Sequence, residues 1–236
     1  MDLNDATERA KQAVGVEAAH MAQSGWVIGL GTGSTAAYAI IELGRRMREE
    51  GFAFRGIPTS HMAEYLARQH GIPIITLHDT DRIDLAIDGA DEVDDNKNLI
   101  KGSGGAHTRE KIVDSFAELF VVVADDSKLV SRLGDTMPIP LEVLPLAVPA
   151  VTYRIQQMNG SVDLRVASGG RGHYGPVITD QGNMILDARL PVIDNPKELE
   201  CWLNNLPGVV ENGLFPGMAH LVLVGSSHDG SVKRQE

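Results

Sequence analysis

Apolar runs of strand length alternate with amphipathic segments of helix length through the first half of the chain. A helix is predicted over 6–22, where Ala10, Val14 and Ala18 share one face. The apolar run 26–30 ends in glycines, which is typical of a buried strand. The same pattern predicts further strands over 54–57, 72–77, 83–87 and 120–124, and further helices over 34–47, 61–70 and 108–117. This alternation indicates a parallel sheet with helices on both faces.

The pattern changes near Leu133, where a group of prolines follows. Beyond them the chain shows an α+β pattern. Helices are predicted over 150–158 and 196–206, a strand over 162–166, and a hairpin over 177–186 that turns at 180–183. We therefore predict a smaller α+β domain over 133–206 and a larger domain over 1–132 and 207–236. The last apolar run, 219–224, is predicted to be a strand that returns to the first sheet.

Charge and composition narrow the class of protein. The 236 residues include 21 Lys and Arg against 32 Asp and Glu, a formal charge of −11. This balance argues against nucleic acid or an anionic membrane as a partner. The single cysteine, Cys201, excludes an intramolecular disulfide framework and fits a reducing compartment. No run has the length of a membrane span or of a signal-peptide core, so a cytoplasmic location is expected.

The first candidate site is the sequence Gly-Leu-Gly-Thr-Gly-Ser-Thr over 29–35, between a strand and a helix. Glycines let backbone N–H groups approach an anion, and a helix N-terminus carries partial positive charge. A plain glycine turn is the simpler interpretation. A dinucleotide site also fits the glycine spacing over 31–36, but the second strand ends at 58–60 without the acidic residue that holds a ribose. The segment is not a P-loop either, because a P-loop has a lysine after its glycines and this segment has none. Phosphate or another small anion is therefore the better candidate ligand for this segment.

The second candidate is a pair of aspartates, Asp88 and Asp91, after the strand predicted over 83–87. Ligands bind at the carboxyl ends of strands in open α/β sheets, and paired carboxylates can divide acid and base work. The alternative is a turn, since Asp and Gly are turn formers. We assign Glu92, Asp94 and Asp95 to a solvated acidic loop. The spacing does not match a calcium-binding EF-hand.

The third candidate is the segment 99–110, in which an apolar pair places Lys101 at a strand end before a loop of small residues. Lys101 would lie beside a nest of backbone N–H groups suited to an anion. Glu110 falls in the first turns of the helix predicted from residue 108, where it could equally be a favourable N-terminal charge. His107 and Arg109 are interpreted as structural or surface groups.

Together these motifs resemble type A ribose-5-phosphate isomerase, in order and in spacing, over nearly the whole chain. The matching segments are 29–35, Asp-Gly-Ala-Asp over 88–91, 100–105 with Thr-Arg-Glu-Lys over 108–111, Ala-Asp-Asp-Ser-Lys over 124–128, 140–145, 179–183 and 206–210. One departure is Ser103, which stands where the family usually has glycine. Because serine is small and keeps its N–H, we expect an altered loop rather than a lost activity.

The resemblance implies a Rossmann-like parallel-sheet domain, a smaller ferredoxin-like α+β domain, and a homodimer or homotetramer. It implies interconversion of ribose 5-phosphate and ribulose 5-phosphate through an enediolate, in the non-oxidative pentose phosphate pathway, without metal or organic cofactor. Glu110 matches the family's base, and Lys101 with the amides of 102–104 would stabilise the enediolate. Asp88 and Asp91 would hold sugar hydroxyls and assist ring opening. The residues expected to bind substrate are Lys11, Thr32, Gly33, Ser34, Thr35, Asp88, Gly89, Ala90, Asp91, Lys101, Gly102, Ser103, Gly104 and Lys128.

Three rival functions remain open from the residues alone. A non-catalytic sugar-phosphate sensor would need the phosphate loop but no base, so the presence of both Lys101 and Glu110 argues against it. A dinucleotide-dependent oxidoreductase lacks its acidic residue. A metal-dependent sugar isomerase would use the Asp-rich loop, and its activity would be sensitive to EDTA.

Overall fold

The protein is described here by a computed structural model covering residues 3–167 and 174–235. In chain order the strands are β1 (Val27–Leu30), β2 (Arg55–Pro58), β3 (Leu85–Gly89), β4 (Glu92–Val93), β5 (Leu99–Ile100), β6 (Phe120–Asp125), β7 (Ile139–Val143), β8 (Ser161–Leu164), β9 (Met184–Arg189), β10 (Val209–Asn212), β11 (Leu214–Phe215), β12 (Leu221–Gly225) and β13 (Val232–Gln235). The helices are α1 (Leu3–Met21), α2 (Ser34–Glu50), α3 (His61–Gln69), α4 (His107–Ser115), α5 (Val148–Gln157) and α6 (Pro196–Asn204).

The described residues group into two compact units. The first runs to Ala90 and resumes over 109–129 and from Met218 onward, and the second holds 91–108 and the described part of 130–217. Segments 91–108 and 207–217, which we assigned to the first domain, therefore fall in the second unit. The domain limits at 132/133 and 206/207 stay a prediction.

The first unit is a six-stranded sheet in the order β2-β1-β3-β6-β12-β13. All neighbouring strands are parallel except β13, which runs antiparallel to β12. Strand side chains alternate between faces, so Ile28 and Leu30 join a core with α1, α2 and α3, whereas Val27 packs with Val113 of α4. The expected sheet with two covered faces is confirmed, as is the return of the last apolar run, since β12 pairs with β6.

The chain order reverses beside β1, because β2 lies on one side of it and β3 on the other. Such a switch point leaves a crevice at the carboxyl ends of the two central strands, where ligands bind in open α/β sheets. The loop after β1 and the residues after β3 are those of the first two sequence motifs. Within the first unit, the fold therefore places the loop after β1 and Asp88 of β3 at the sheet edge where ligands bind in open α/β sheets.

The second unit carries an antiparallel sheet in the order β10-β7-β9-β8 with helices α5 and α6, and a small three-stranded sheet β11-β5-β4. The succession β7-α5-β8-β9-α6-β10 with this strand order is the ferredoxin-like arrangement that we expected. Its core joins Leu141 of β7, Leu186 of β9, Val151 and Ile155 of α5, and Leu203 of α6.

Two predicted strands are wrong in detail. The segment 72–77 forms only a single bridge, from Ile74 to Gly56, and a short 3-10 turn starts at Leu77. Pro73 explains this, because it has no N–H to give to a ladder. The turn at 180–183 is present, with Thr179 N–H donating to the Asn183 carbonyl, but the first arm of the predicted hairpin makes only an isolated bridge.

The pattern also missed β4, β7, β10, β11 and β13. Strand β7 lies between two others although it contains Pro140, a residue that usually marks a strand edge. Pro140 is tolerated because it lies beyond the registered end of β10, and its carbonyl accepts from the Gly213 N–H at 2.8 Å.

No helix within the described ranges 3–167 and 174–235 is both long enough and apolar enough to cross a membrane.

Candidate active site

In the first unit, the loop after β1 is held against Asp88 by close backbone approach. Asp88 is fully buried, and its Oδ1 accepts hydrogen bonds from the Thr32 N–H at 2.9 Å and from its neighbour Gly89 at 2.7 Å. A Cβ at Gly31 would lie 2.4 Å from that same oxygen. Only glycine fits at position 31, so the motif glycine has a steric reason.

Thr32 joins the loop to the end of β2. Its hydroxyl lies 2.8 Å from the Thr59 hydroxyl and donates to the Ser60 Oγ at 2.7 Å. Ser60 also caps α3 by accepting from the Ala63 N–H at 3.0 Å. Our sequence reasoning noted only that 58–60 lacks a carboxylate and so missed both hydroxyls. The signal was available, because β2 ends at the same sheet edge as β1.

Helix α2 starts directly from this loop without a side-chain cap. Gly33 is the residue before the helix, with φ of 113°, a conformation that favours glycine, and no side chain accepts from the first-turn N–H groups. Ser34 is exposed and Thr35 is buried. The first turn also holds no acidic residue. The uncapped N–H groups, the helix dipole and the Ser34 hydroxyl are therefore suited to an anion.

Two lysines of the first unit were expected to supply charge, and they differ in their surroundings. Lys128 ends a 3-10 turn that Asp125 caps through its bonds to Ser127, and it is half-buried. Among the described residues, Lys128 has no hydrogen bond or ion pair. Lys11 instead donates to Glu8 at 2.8 Å. The Lys11 hydrogen bond, followed by that of the Tyr38 hydroxyl, lowers the pKa of Glu8.

Glu110 lies in the first turn of α4 and is 4% exposed. A buried carboxylate is unlike the solvated end-of-helix charge that was the alternative interpretation. Its neighbour Arg109 is half-buried and donates to the Pro58 carbonyl at 3.3 Å, which agrees with a structural role.

In the second unit, Asp91 and Ser103 form a close pair. Asp91 Oδ2 accepts from the Ser103 N–H at 2.8 Å, and Oδ1 accepts from the Ser103 hydroxyl at 2.5 Å. We expected this N–H to be usable by a substrate, but it is given to Asp91. The serine that departs from the family's usual glycine adds a second bond to the same carboxylate.

Lys101 follows β5 and is 2% exposed, which places it among the largest fully buried side chains of the described residues. Its backbone N–H donates to the Gly213 carbonyl at 2.9 Å, and its ammonium lies 5.5 Å from the centre of the Phe215 ring. Gly102 has φ of 106°, and a Cβ there would lie 2.8 Å from the ring of His107, which is fully buried. The chain therefore turns directly after Lys101, and this turn requires glycine at position 102.

The acidic loop after Asp91 was interpreted wrongly. Glu92 is fully buried and accepts from three backbone N–H groups of the loop 134–137 and from the Thr136 hydroxyl, at 2.6–2.7 Å. Asp94 is also buried and closes a turn by accepting from the N–H groups of Asn96 and Asn98, whereas Asp95 is exposed as expected. Glu92 is a structural clamp of the second unit.

Two further charged residues of the second unit escaped sequence reasoning. Glu142 of β7 is fully buried and accepts from the Thr108 hydroxyl at 2.5 Å and from Thr179 and Asn183. Arg165 contacts the loop that follows Lys101. Glu142 lies in the segment 140–145 that matched the family, but no role was assigned to it, and Arg165 lies in none of the matching segments.

The described residues hold no group of three or more His, Cys, Asp or Glu side chains arranged to bind a metal ion. The expected site residues divide between the two units. The first unit holds Lys11, Thr32, Gly33, Ser34, Thr35, Asp88, Gly89, Ala90, Glu110 and Lys128. The second unit holds Asp91, Lys101, Gly102, Ser103 and Gly104. The fold and these side chains define a class: a Rossmann-like α/β protein with buried carboxylates, a buried lysine and an uncapped helix start suited to a small anion.

Comparison with known proteins identifies the family. The family described as ribose 5-phosphate isomerase A (phosphoriboisomerase A) matches residues 55–229. The ribose-5-phosphate isomerase A of Thermosynechococcus vestitus is 53% identical over 234 residues, covering 99% of this chain and 98% of the relative. That of Methanothermobacter thermautotrophicus is 50% identical, covering 95% and 97%. This chain belongs to the ribose-5-phosphate isomerase A family.

Solved structures agree with this assignment. Ribose 5-phosphate isomerase A of Methanocaldococcus jannaschii superposes with a TM-score of 0.91 at 50% identity, covering 97% of this chain and 98% of that one. A D-ribose-5-phosphate isomerase in complex with phospho-erythronic acid gives a TM-score of 0.94 at 45% identity over the whole of both chains. The resemblance carried by the motifs is confirmed.

Proposed function

We propose that this protein isomerises D-ribose 5-phosphate and D-ribulose 5-phosphate with Glu110 as the base. The observation that carries the assignment of Glu110 is its burial in the first turn of α4, and the resemblance of the segment 108–111 to the family's motif supports it. Family membership supplies the reaction. The relative in complex with phospho-erythronic acid, a phosphorylated four-carbon sugar acid, is consistent with a sugar-phosphate substrate.

The phosphate group is bound by the loop 32–35 and by Lys128. The uncapped start of α2 supports this, since backbone N–H groups and the helix dipole both favour an anion there. Lys128 has no competing partner among the described residues, so its ammonium is available for a charge-assisted hydrogen bond. Lys11 is a weaker candidate because Glu8 already binds its ammonium. Local donors outweigh the net charge of −11, which is distant and screened.

The chemistry is a proton transfer between neighbouring carbons. Glu110 removes the proton from the carbon beside the carbonyl and returns it to the former carbonyl carbon, while the hydroxyl proton on O2 passes to O1. No atom is gained or lost, and no electron acceptor is needed. The enediolate between the two steps carries negative charge on oxygen. Lys101 and the N–H of Gly104 stabilise that charge, since fixed donors act strongly where charge develops.

Asp88 and Asp91 hold the sugar and help open its ring. Asp88 uses one oxygen for the loop after β1, and Asp91 is bound by Ser103. These bonds fix the direction of both carboxylates before a sugar arrives, which lowers the cost of ordering them. Gly89 and Ala90, between the two aspartates, contribute backbone contacts to the same substrate.

The reaction needs neither metal nor organic cofactor, and the protein works in the cytoplasm as a homodimer or homotetramer. The acidic composition and the single cysteine support the location, and the family resemblance supports the assembly. Light scattering of the purified chain measures the assembly directly.

The decisive experiment is a coupled assay for ribulose 5-phosphate formed from ribose 5-phosphate, run with and without EDTA. We expect turnover that EDTA does not change, and almost none with unphosphorylated ribose. Binding of ribose 5-phosphate without turnover would instead identify a sensor. Loss of activity in EDTA would identify a metal-dependent isomerase.

A further inference from the structure

Arg165 follows β8 in the second unit and links the sheet to the loop 102–104. Its side chain is 16% exposed. It meets Asp187 of β9 through two hydrogen bonds, from Nε to Oδ2 at 2.9 Å and from Nη2 to Oδ1 at 2.5 Å. The remaining nitrogen, Nη1, donates to two successive carbonyl oxygens, of Gly102 at 2.8 Å and of Ser103 at 2.9 Å.

Two carbonyls on one guanidinium determine where the following N–H groups point. In a trans peptide unit, the C=O of one residue and the N–H of the next point in opposite directions. Because the carbonyls of Gly102 and Ser103 face Arg165, the N–H groups of Ser103 and Gly104 face away from it. The bond from the Ser103 N–H to Asp91 at 2.8 Å agrees with this direction.

The Gly104 N–H is therefore turned to the side on which Asp91 lies. Gly104 is exposed, and its N–H donates to no other described residue. Because no described residue of the second unit accepts from it, this N–H is available to an oxygen of a ligand.

We propose that Arg165 is a positioning residue for the isomerisation: it fixes the loop 102–104 so that the Gly104 N–H meets an enediolate oxygen. This rests on the proposed function. Arginine suits the task because its planar fork binds Asp187 with one edge and keeps a nitrogen for the loop. Lysine has a single ammonium and cannot do both in this geometry.

A purely structural role would predict a different outcome. If Arg165 only stabilised the second unit, its loss would lower the melting temperature and leave the kcat of the folded protein unchanged. A positioning role predicts a fall in kcat with little change in KM, because the phosphate contacts lie elsewhere in the chain.

The experiment compares Arg165→Ala, Arg165→Lys and the matched control Arg132→Ala with the unaltered protein. Arg132 belongs to the same unit and pairs with Asp135 at 3.4 Å, but it makes no hydrogen bond to the loop 102–104. We expect the kcat of Arg165→Ala to fall by about 10²-fold, the usual loss for one oxyanion donor, with KM changed less than about threefold. Arg165→Lys should fall by about tenfold, and Arg132→Ala should keep its kcat.

Two added readouts separate positioning from folding. Free guanidinium at millimolar concentration should raise the kcat of Arg165→Ala. Calorimetry should show affinity for phospho-erythronic acid reduced by about tenfold or more while that for inorganic phosphate is kept, since only the acid carries a second anion. If Arg165→Ala does not fold, the kcat of Arg165→Lys and its affinities for the two anions test the proposal.

A folded variant with kcat within about twofold of the unaltered protein, or equal losses of affinity for both anions, would overturn the proposal. Absence of turnover in the unaltered protein would count against the proposed function instead. In that case the two affinities alone would still decide whether Arg165 orients the loop.

Discussion

The loops 29–35 and 101–105 look alike in sequence, yet they are held in different ways. Both follow a strand, contain three glycines and precede a helix. The first is fixed by close approach, since Gly31 lies against Asp88 and the Thr32 N–H binds the same carboxylate. The second is fixed by charged side chains at both edges: Asp91 accepts from the N–H and the hydroxyl of Ser103, and Arg165 donates to the carbonyls of Gly102 and Ser103.

The difference matches the roles that we propose for the two loops. A phosphate is bound equally before and after the reaction, so a permanent helix N-terminus with a hydroxyl suits it. An enediolate exists only between the two proton transfers, so its donors must already point correctly when charge develops. The second loop is therefore oriented by Arg165 as well as by a carboxylate, whereas the first loop is oriented by the carboxylate of Asp88.

The largest expected effect is on kcat and concerns Glu110, in the first turn of the helix that follows the second loop. Glu110→Gln keeps the size of the side chain and removes its ability to accept a proton. We expect kcat to fall by about 10²–10⁴-fold, with solvent-deuterium incorporation into the sugar phosphate falling alongside it. Ribose 5-phosphate should still bind.

The exposed Glu118→Gln is the control for the loss of one carboxylate from the first unit. It should keep full turnover. Near-normal kcat in folded Glu110→Gln would refute the mechanism and transfer the role of base to Asp88 or Asp91.

The next effect falls on the first loop. Lys128→Ala removes one charge-assisted contact of ~1.5–3 kcal/mol, so KM for ribose 5-phosphate should rise by about one to two orders of magnitude while kcat changes little. Lys11→Ala should raise KM less, because its ammonium is already bound by Glu8. Steady-state kinetics of both variants check this. A larger effect at Lys11 would reverse the assignment of the two lysines.

A smaller effect tests close approach in the first loop. Gly31→Ala places a Cβ 2.4 Å from Asp88 Oδ1 and from the Ile87 carbonyl oxygen, so something must shift. Overpacking of this kind costs ~1–3 kcal/mol, which thermal unfolding measures together with a raised KM. Gly25→Ala is the comparison for backbone strain without a clash, since Gly25 has φ of 90° and no described atom within 4 Å of its Cβ position, whereas Gly31 has no positive φ. An unchanged melting temperature and KM in Gly31→Ala would contradict the predicted clash.

The smallest effect is at Ser103, the residue that departs from the family's usual glycine. Ser103→Gly removes the hydroxyl bond to Asp91 but keeps the N–H bond. Because the serine is exposed, we expect kcat/KM to change less than about threefold, roughly the net worth of one hydrogen bond. A tenfold change would mean that the hydroxyl itself acts on the substrate.

The residues of the candidate site were accessible to sequence reasoning where they lie in local motifs at strand ends. Asp88 and Lys101 come directly after apolar runs, and parallel-sheet logic places such ends at a ligand-binding edge. Their surroundings were less accessible. Glu92 was taken for a solvated charge because its partners, the N–H groups of 134–137, lie more than 40 residues away.

What the sequence by itself determined is the alternating α/β pattern of the first unit, the α+β pattern after Leu133, and the family, through motifs whose chemistry is local. Only the tertiary structure showed that β7 contains Pro140 and that Arg165 forms hydrogen bonds to the second loop. The physical reason is contact distance along the chain. Periodicity and turn chemistry act within a few residues, whereas Arg165 and Gly102 are 63 residues apart and meet only in the folded second unit.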